Sequence, residues 1–121
     1  MGVYMASRTI HADKWKALRA AGNRITSSWI DTVIDGGNGG GYEELWVRCI
    51  MDVSASKAVI VYVEPGEMLN GALVEVGAAL SMKKPVFAVG VNSKQHGTWI
   101  HHYLVTLCQD VQEALELTRN L

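Results

Sequence analysis

Phenylalanine occurs once in this chain, proline and cysteine twice each, and no apolar run approaches the ~18 residues that a membrane-crossing helix needs. The two cysteines, Cys49 and Cys108, show neither CxxC nor Cys/His metal spacing, so a disulfide framework and a zinc ribbon are excluded. Both read as reduced core residues, which implies a cytoplasmic setting. Neither sign of charge dominates: 11 Lys and Arg face 12 Asp and Glu, for a net charge of -1. There is no bulk attraction to polymeric nucleic acid or to a membrane surface. The first residues lack the charged-then-apolar order of a signal peptide, and the chain is expected to start near Met1. No GxGxxG or Walker pattern opens a helix directly after a strand. His101 and His102 are adjacent and diverge, with no third ligand evident, so no metal is expected.

What is present is the material of one domain, residues 1–121, 49% hydrophobic. A chain of this size buries about two-thirds of its unfolded surface. With no help from overall charge, function must come from a site.

The stretch Ala58-Val-Ile-Val-Tyr-Val63 shows no alternation of apolar and polar residues, as a strand buried on both faces of a parallel sheet requires. Glu64-Pro-Gly-Glu67 breaks it, and Asn70 stands where a helix beginning at Gly71 would be capped. Ala72, Leu73, Val76, Ala79 and Leu80 then keep helical spacing on one face, and Pro85 opens the next strand, Val86 to Val89. Glu75 falls at the margin of that apolar stripe, beside the strand ends where open α/β sheets bind ligands.

Elsewhere the pattern repeats. Val3 to Ala6 predicts a first strand and Ser7 to Thr9 the loop that leaves it. Trp15, Leu18 and Ala21 predict a helix that Gly22 stops. Ile25 to Ile30 predicts a second strand. Asp31 to Gly41, with five of the twelve glycines, predicts a mobile loop fit to act as a lid. Trp46, Cys49, Ile50 and Val53 predict a helix over Tyr42 to Val53. Val91 to Gly97 reads as a polar loop, Leu104 to Cys108 as a fifth strand, and Asp110 with Glu113 as the start of a last helix. The expected fold is α/β: a flavodoxin-like or Rossmann-like three-layer sandwich on a five-stranded parallel sheet of order 2-1-3-4-5.

Val3-Tyr-Met-Ala-Ser7, Asp52 ahead of an apolar strand, Gly71-Ala-Leu-Val-Glu-Val-Gly-Ala-Ala-Leu80 and Lys84-Pro-Val86 together resemble the nucleoside 2-deoxyribosyltransferase superfamily. Its members exchange bases on deoxyribose or hydrolyse the N-glycosidic bond of nucleoside monophosphates. The resemblance covers most of the chain and implies the fold just derived. It maps the family's Gly-x-x-x-Glu-x-Gly-x-Ala pattern onto Gly71, Glu75, Gly77 and Ala79, with Glu75 as nucleophile and Tyr4 holding its carboxylate. It also implies that Asp52 contacts sugar or base, that no cofactor is needed, and that the protein is a homodimer or higher homo-oligomer.

Where the family commonly places an acid six residues before the nucleophile, this chain has Leu69, and Glu67 or Glu64 are the substitutes at hand. A 5′-phosphate would meet Ser7, Arg8 and the amides after Asn70 and Gly71, next to Ala6 at the strand end. Trp29 and Trp99 lie near loop ends where a base can stack. His101, His102 or Trp99 would complete a neighbouring subunit's pocket.

An ionised carboxylate near C1′ can stabilise an oxocarbenium-like state and then trap the sugar, as retaining glycosidases do. The helix start is expected to favour that charged form of Glu75. The expected function is cleavage or exchange of the N-glycosidic bond of a nucleoside or its 5′-monophosphate. A non-catalytic nucleotide binder is the alternative, and a flavodoxin-like interaction module without a small ligand is a third.

Overall fold

A computed structural model of the chain describes residues 1–32 and 41–121. Four parallel strands form its sheet: β1 (Val3–Ala6), β2 (Ala58–Tyr62), β3 (Val86–Val89) and β4 (Val105–Cys108), adjacent in that order. Five helices connect or follow them: α1 (Ala12–Ala20), α2 (Tyr42–Ala55), α3 (Gly71–Ser81), the short α4 (Ser93–His96) and α5 (Val111–Arg119). Among the described residues, further turns of 3-10 helix cover Thr9–His11, Ser28–Asp31 and Thr98–His101.

β1 and β3 are buried at every position, and β2 at all but Tyr62. Successive strand side chains point to opposite faces, so both faces of the sheet are covered over these three strands. Each fully buried Val or Ile contributes about 1.5–3 kcal/mol, so the apolar run from Ala58 is a large part of what holds the sheet in place. α2 and α3 pack against each other, while α5 packs against β2, β3 and β4. Lys84 donates to the carbonyl of Ser54, 2.8 Å away, in the last turn of α2, where a cation suits the helix dipole. Gly90 ends β3 at φ +82°, and a Cβ there would collide with the Val63 carbonyl. Glycine is required at that position.

The expected second strand, Ile25 to Ile30, is not formed, whereas the strand expected at Leu104 to Cys108 is present as β4. Ile25 makes one isolated parallel bridge to Val3, and the chain turns into the Ser28–Asp31 helix. Side chains take over the ladder on this edge of β1. Ser27 Oγ accepts from the Met5 N–H at 2.6 Å, and Trp29 Nε1 donates to the Met5 carbonyl at 2.9 Å. Met5 is satisfied without a paired backbone, so nothing holds residues 27–30 extended. The sheet therefore runs β1-β2-β3-β4 in place of the five-stranded order expected. The expected polar loop Val91 to Gly97 also contains structure: Asn92 accepts from the Gln95 amide at 2.9 Å and caps α4. Of the expected lid, residues 33–40 lie outside the described residues.

Candidate functional site

Above the carboxyl ends of β1 and β2, the β1 loop, the Ser28–Asp31 helix, α2 and the start of α3 enclose a pocket of about 530 Å³. Glu75, on the second turn of α3, forms part of its wall while remaining only 6% exposed. The Tyr4 hydroxyl, fully buried on β1, donates to Glu75 Oε2. A strand residue and a helix residue 71 positions apart are thereby joined behind the pocket.

Burial pushes the Glu75 carboxyl up to about 8. This corrects the expectation that the helix start keeps it charged. Proximity to a helix N-terminus is worth about 0.3–1 kcal/mol, whereas each unit of upward shift costs the ionised form about 1.4 kcal/mol. Desolvation wins. Near neutral pH, burial favours the acid form of Glu75.

α2 supplies Tyr42, Leu45, Trp46 and Cys49, one stripe at i, i+3, i+4 and i+7. Trp46 is 37% exposed and lies against the start of α3. A Cβ at Gly71 would sit 3.1 Å from the Trp46 ring, tighter than ordinary packing allows. The absence of a side chain at Gly71 lets this ring close the wall. Burial, then the nearby Asp52, pushes the Cys49 thiol up to about 11. It stays protonated and is a poor nucleophile.

The remaining expected residues divide in two. Ser7, Arg8, Trp29, Asn70 and Gly71 line the pocket, and Ala6 is buried at the strand end beneath it. Ser7 Oγ is held by Trp15 Nε1 at 2.8 Å, while Arg8 is exposed. Asn70 precedes α3 but makes no side-chain cap, so its polar end is not consumed by the helix.

Asp52, Glu67 and His102 are not brought to the pocket wall. Asp52 Oδ2 accepts from the Ser28 N–H at 3.0 Å and from Ser28 Oγ at 2.6 Å, anchoring the turn that carries Trp29. His102 lies beside edge strand β4, stacked on Tyr103 with ring centroids 4.7 Å apart, and accepts from the Leu104 amide. Trp99 Nε1 donates to the His96 carbonyl in the same region.

Glu67 binds His11 Nε2 at 3.0 Å and accepts from the Glu64 N–H at 2.8 Å. Burial raises its carboxyl, but those hydrogen bonds and the charges of His11 and Arg8 outweigh it and hold the group below the usual range. With Glu64, these residues form a trio whose ligand atoms lie within 4.8 Å of one another. Each already has a partner. Glu64 Oε2 accepts from the Tyr62 hydroxyl at 2.6 Å and lies 3.7 Å from Lys14 Nζ. The cluster ties the β1 loop to the β2 loop.

Sequence reasoning did not single out Trp46, Tyr42, Leu45, Met68 or Leu69 as pocket walls. The signal available for the first three was the stripe of Trp46, Cys49, Ile50 and Val53 itself, which Tyr42 and Leu45 continue one turn toward the start of α2. Compared with models of protein families, with curated proteins and with solved structures, the chain matches none.

Proposed function

We propose that the protein cleaves or exchanges the N-glycosidic bond of a nucleoside or its 5′-monophosphate, with Glu75 as the nucleophile. The observation that carries this reading is a buried carboxyl, Glu75, held by Tyr4 and opening into a pocket of nucleoside size with aromatic and small-residue walls. Pockets of about 300–1,000 Å³ suit small organic ligands. The resemblance of Gly71 to Leu80 and of the Tyr4 strand to the nucleoside 2-deoxyribosyltransferase superfamily supports the same assignment.

In this mechanism the sugar lies against Gly71 and Ala72, and the base against the α2 wall. Tyr4 fixes the carboxyl rotamer, so the attacking oxygen loses little freedom on reaching the transition state. Glu75 attacks C1′ as the bond to the base breaks, and the glycosyl ester is then resolved by water or by a second base. Ser7, Arg8 and the first amides of α3 receive the 5′-phosphate.

Two free buried thiols support a reducing, cytoplasmic compartment. No helix among the described residues is long and apolar enough to cross a membrane. Assembly as a homodimer or larger homo-oligomer belongs to this proposal, with His102 or Trp99 meeting the pocket of a second copy.

One observation favours a second reading. Leu69 lines the pocket, and Glu75 is the only carboxylate that does so among the described residues. A site without a second acid suits a protein that binds a nucleotide without turning it over. The test incubates the protein with nucleosides and deoxynucleoside monophosphates, with and without a second free base. Base exchange supports a transferase and base release alone a hydrolase; binding by calorimetry without either supports the binder.

A further inference from the structure

Other carboxylates near the pocket are committed elsewhere. Asp52 is held by Ser28, Glu67 by His11 and the Glu64 amide, and Glu64 by Tyr62 and Lys14. Glu43 and Glu44 are exposed on the first turn of α2 and are not among the lining residues. Leu69 is 7% exposed and presents only hydrocarbon. No described carboxyl group other than Glu75 therefore stands where it could protonate a departing base, and Glu75 is needed at C1′.

A neutral purine or pyrimidine leaves as an anion unless it is protonated, so general acid catalysis normally accompanies its loss. A heterocycle that is already cationic on the sugar leaves neutral and needs no acid. The α2 wall suits such a group. Tyr42 and Trp46 line the pocket, and the face of an aromatic ring attracts organic cations. Arg8, the cation of the site, comes from the β1 loop and not from this wall.

Resting on the glycosidic reading above, we infer that the substrate is the N-glycoside of a cationic heterocycle, a pyridinium or N7-alkylpurinium, whose base lies against Trp46 and Tyr42. As the cation enters, Glu75 gives its proton to solvent. Its carboxylate then forms the bond to C1′ while the C1′–N bond breaks, and that electron pair neutralises the ring nitrogen. The base leaves uncharged. Water attacks C1′ of the glycosyl ester, one of its protons stays on the new sugar hydroxyl, and the other restores the Glu75 acid.

The test pairs probes that differ in little but charge: 7-methylguanosine against guanosine, and nicotinamide riboside against its dihydro form, each also as the 2′-deoxy compound and the 5′-monophosphate. Base release is followed by chromatography with the full chain. The expected result is a kcat/KM at least 100-fold higher for the cationic member of each pair. Release from neutral members at equal or higher kcat/KM overturns the inference while the glycosidic reading stands. Release from none of the probes, or from the other nucleosides, overturns both. Trp46→Leu is expected to lower kcat/KM for cationic members at least tenfold, with Trp46→Phe restoring most of it; equal losses for charged and neutral probes overturn the role of the aromatic wall.

Discussion

The Tyr4 hydroxyl donates to Glu75 Oε2 from the floor of the sheet, so β1 and α3 meet at one hydrogen bond behind the pocket. Because that bond favours the ionised carboxylate, its loss shifts the carboxyl further upward. Tyr4→Phe is therefore expected to raise the apparent pKa of Glu75 and to lower kcat by roughly 10- to 100-fold, as for loss of a charged hydrogen bond. KM should change little. A carbon-detected NMR titration of the Glu75 carboxyl, beside a pH–rate profile, checks both parts.

The burial of Glu75 also sets a pH dependence of stability. Between the ordinary value of 4.5 and the folded value of about 8, the folded chain holds a proton that the unfolded chain has released. The contribution is full below the lower value, falls by up to about 1.4 kcal/mol per pH unit through the window, and is lost above the upper one. Glu75→Gln removes the group and is expected to flatten the curve between pH 5 and 8. Urea denaturation of both proteins at four pH values measures the difference.

Arg8 is exposed at the pocket mouth, where a phosphate reached from Ser7 and the start of α3 would meet it. Arg8→Ala should weaken nucleoside monophosphates by about 1.5–3 kcal/mol, the worth of a charged hydrogen bond, and leave nucleosides unchanged. Calorimetry on matched pairs decides it; equal losses for both would remove the phosphate contact.

Asp52 receives two hydrogen bonds from Ser28 and holds the turn that presents Trp29. Asp52→Ala is expected to destabilise the fold by roughly 1–3 kcal/mol and to weaken ligand binding through Trp29. A residue touching the sugar would instead lower kcat with stability unchanged. Denaturant midpoints measured beside kcat separate the two.

How far the sequence discloses this arrangement depends on whether backbone or side chains make the decisive bonds. The run from Ala58 and the strands around it are legible because burial on both faces removes all alternation. The segment after Ile25 has strand-like composition, but Ser27 and Trp29 satisfy Met5 with side-chain groups, which no periodicity reports. On α3, spacing placed Leu73 inside and Glu75 at the margin; the helix instead leaves Leu73 37% exposed and buries Glu75 at 6%. Because most residues around α3 are apolar, a helical wheel discriminates poorly, and the Tyr4 hydroxyl offers the polar partner that makes an inward carboxyl tolerable. Trp46 was hidden for a related reason: its exposure to the pocket depends on the bare Cα of Gly71, 25 residues away in sequence.

The central claim is that Glu75 becomes covalently attached to the sugar. A 2-deoxy-2-fluoro nucleoside, which slows the second step, should be incubated with the protein, and the quenched chain digested and weighed by mass spectrometry. The account predicts the mass of one fluorinated sugar on the peptide carrying Glu75, and none in Glu75→Gln. Base release by the wild-type protein without any adduct, persisting undiminished in Glu75→Gln, would contradict it.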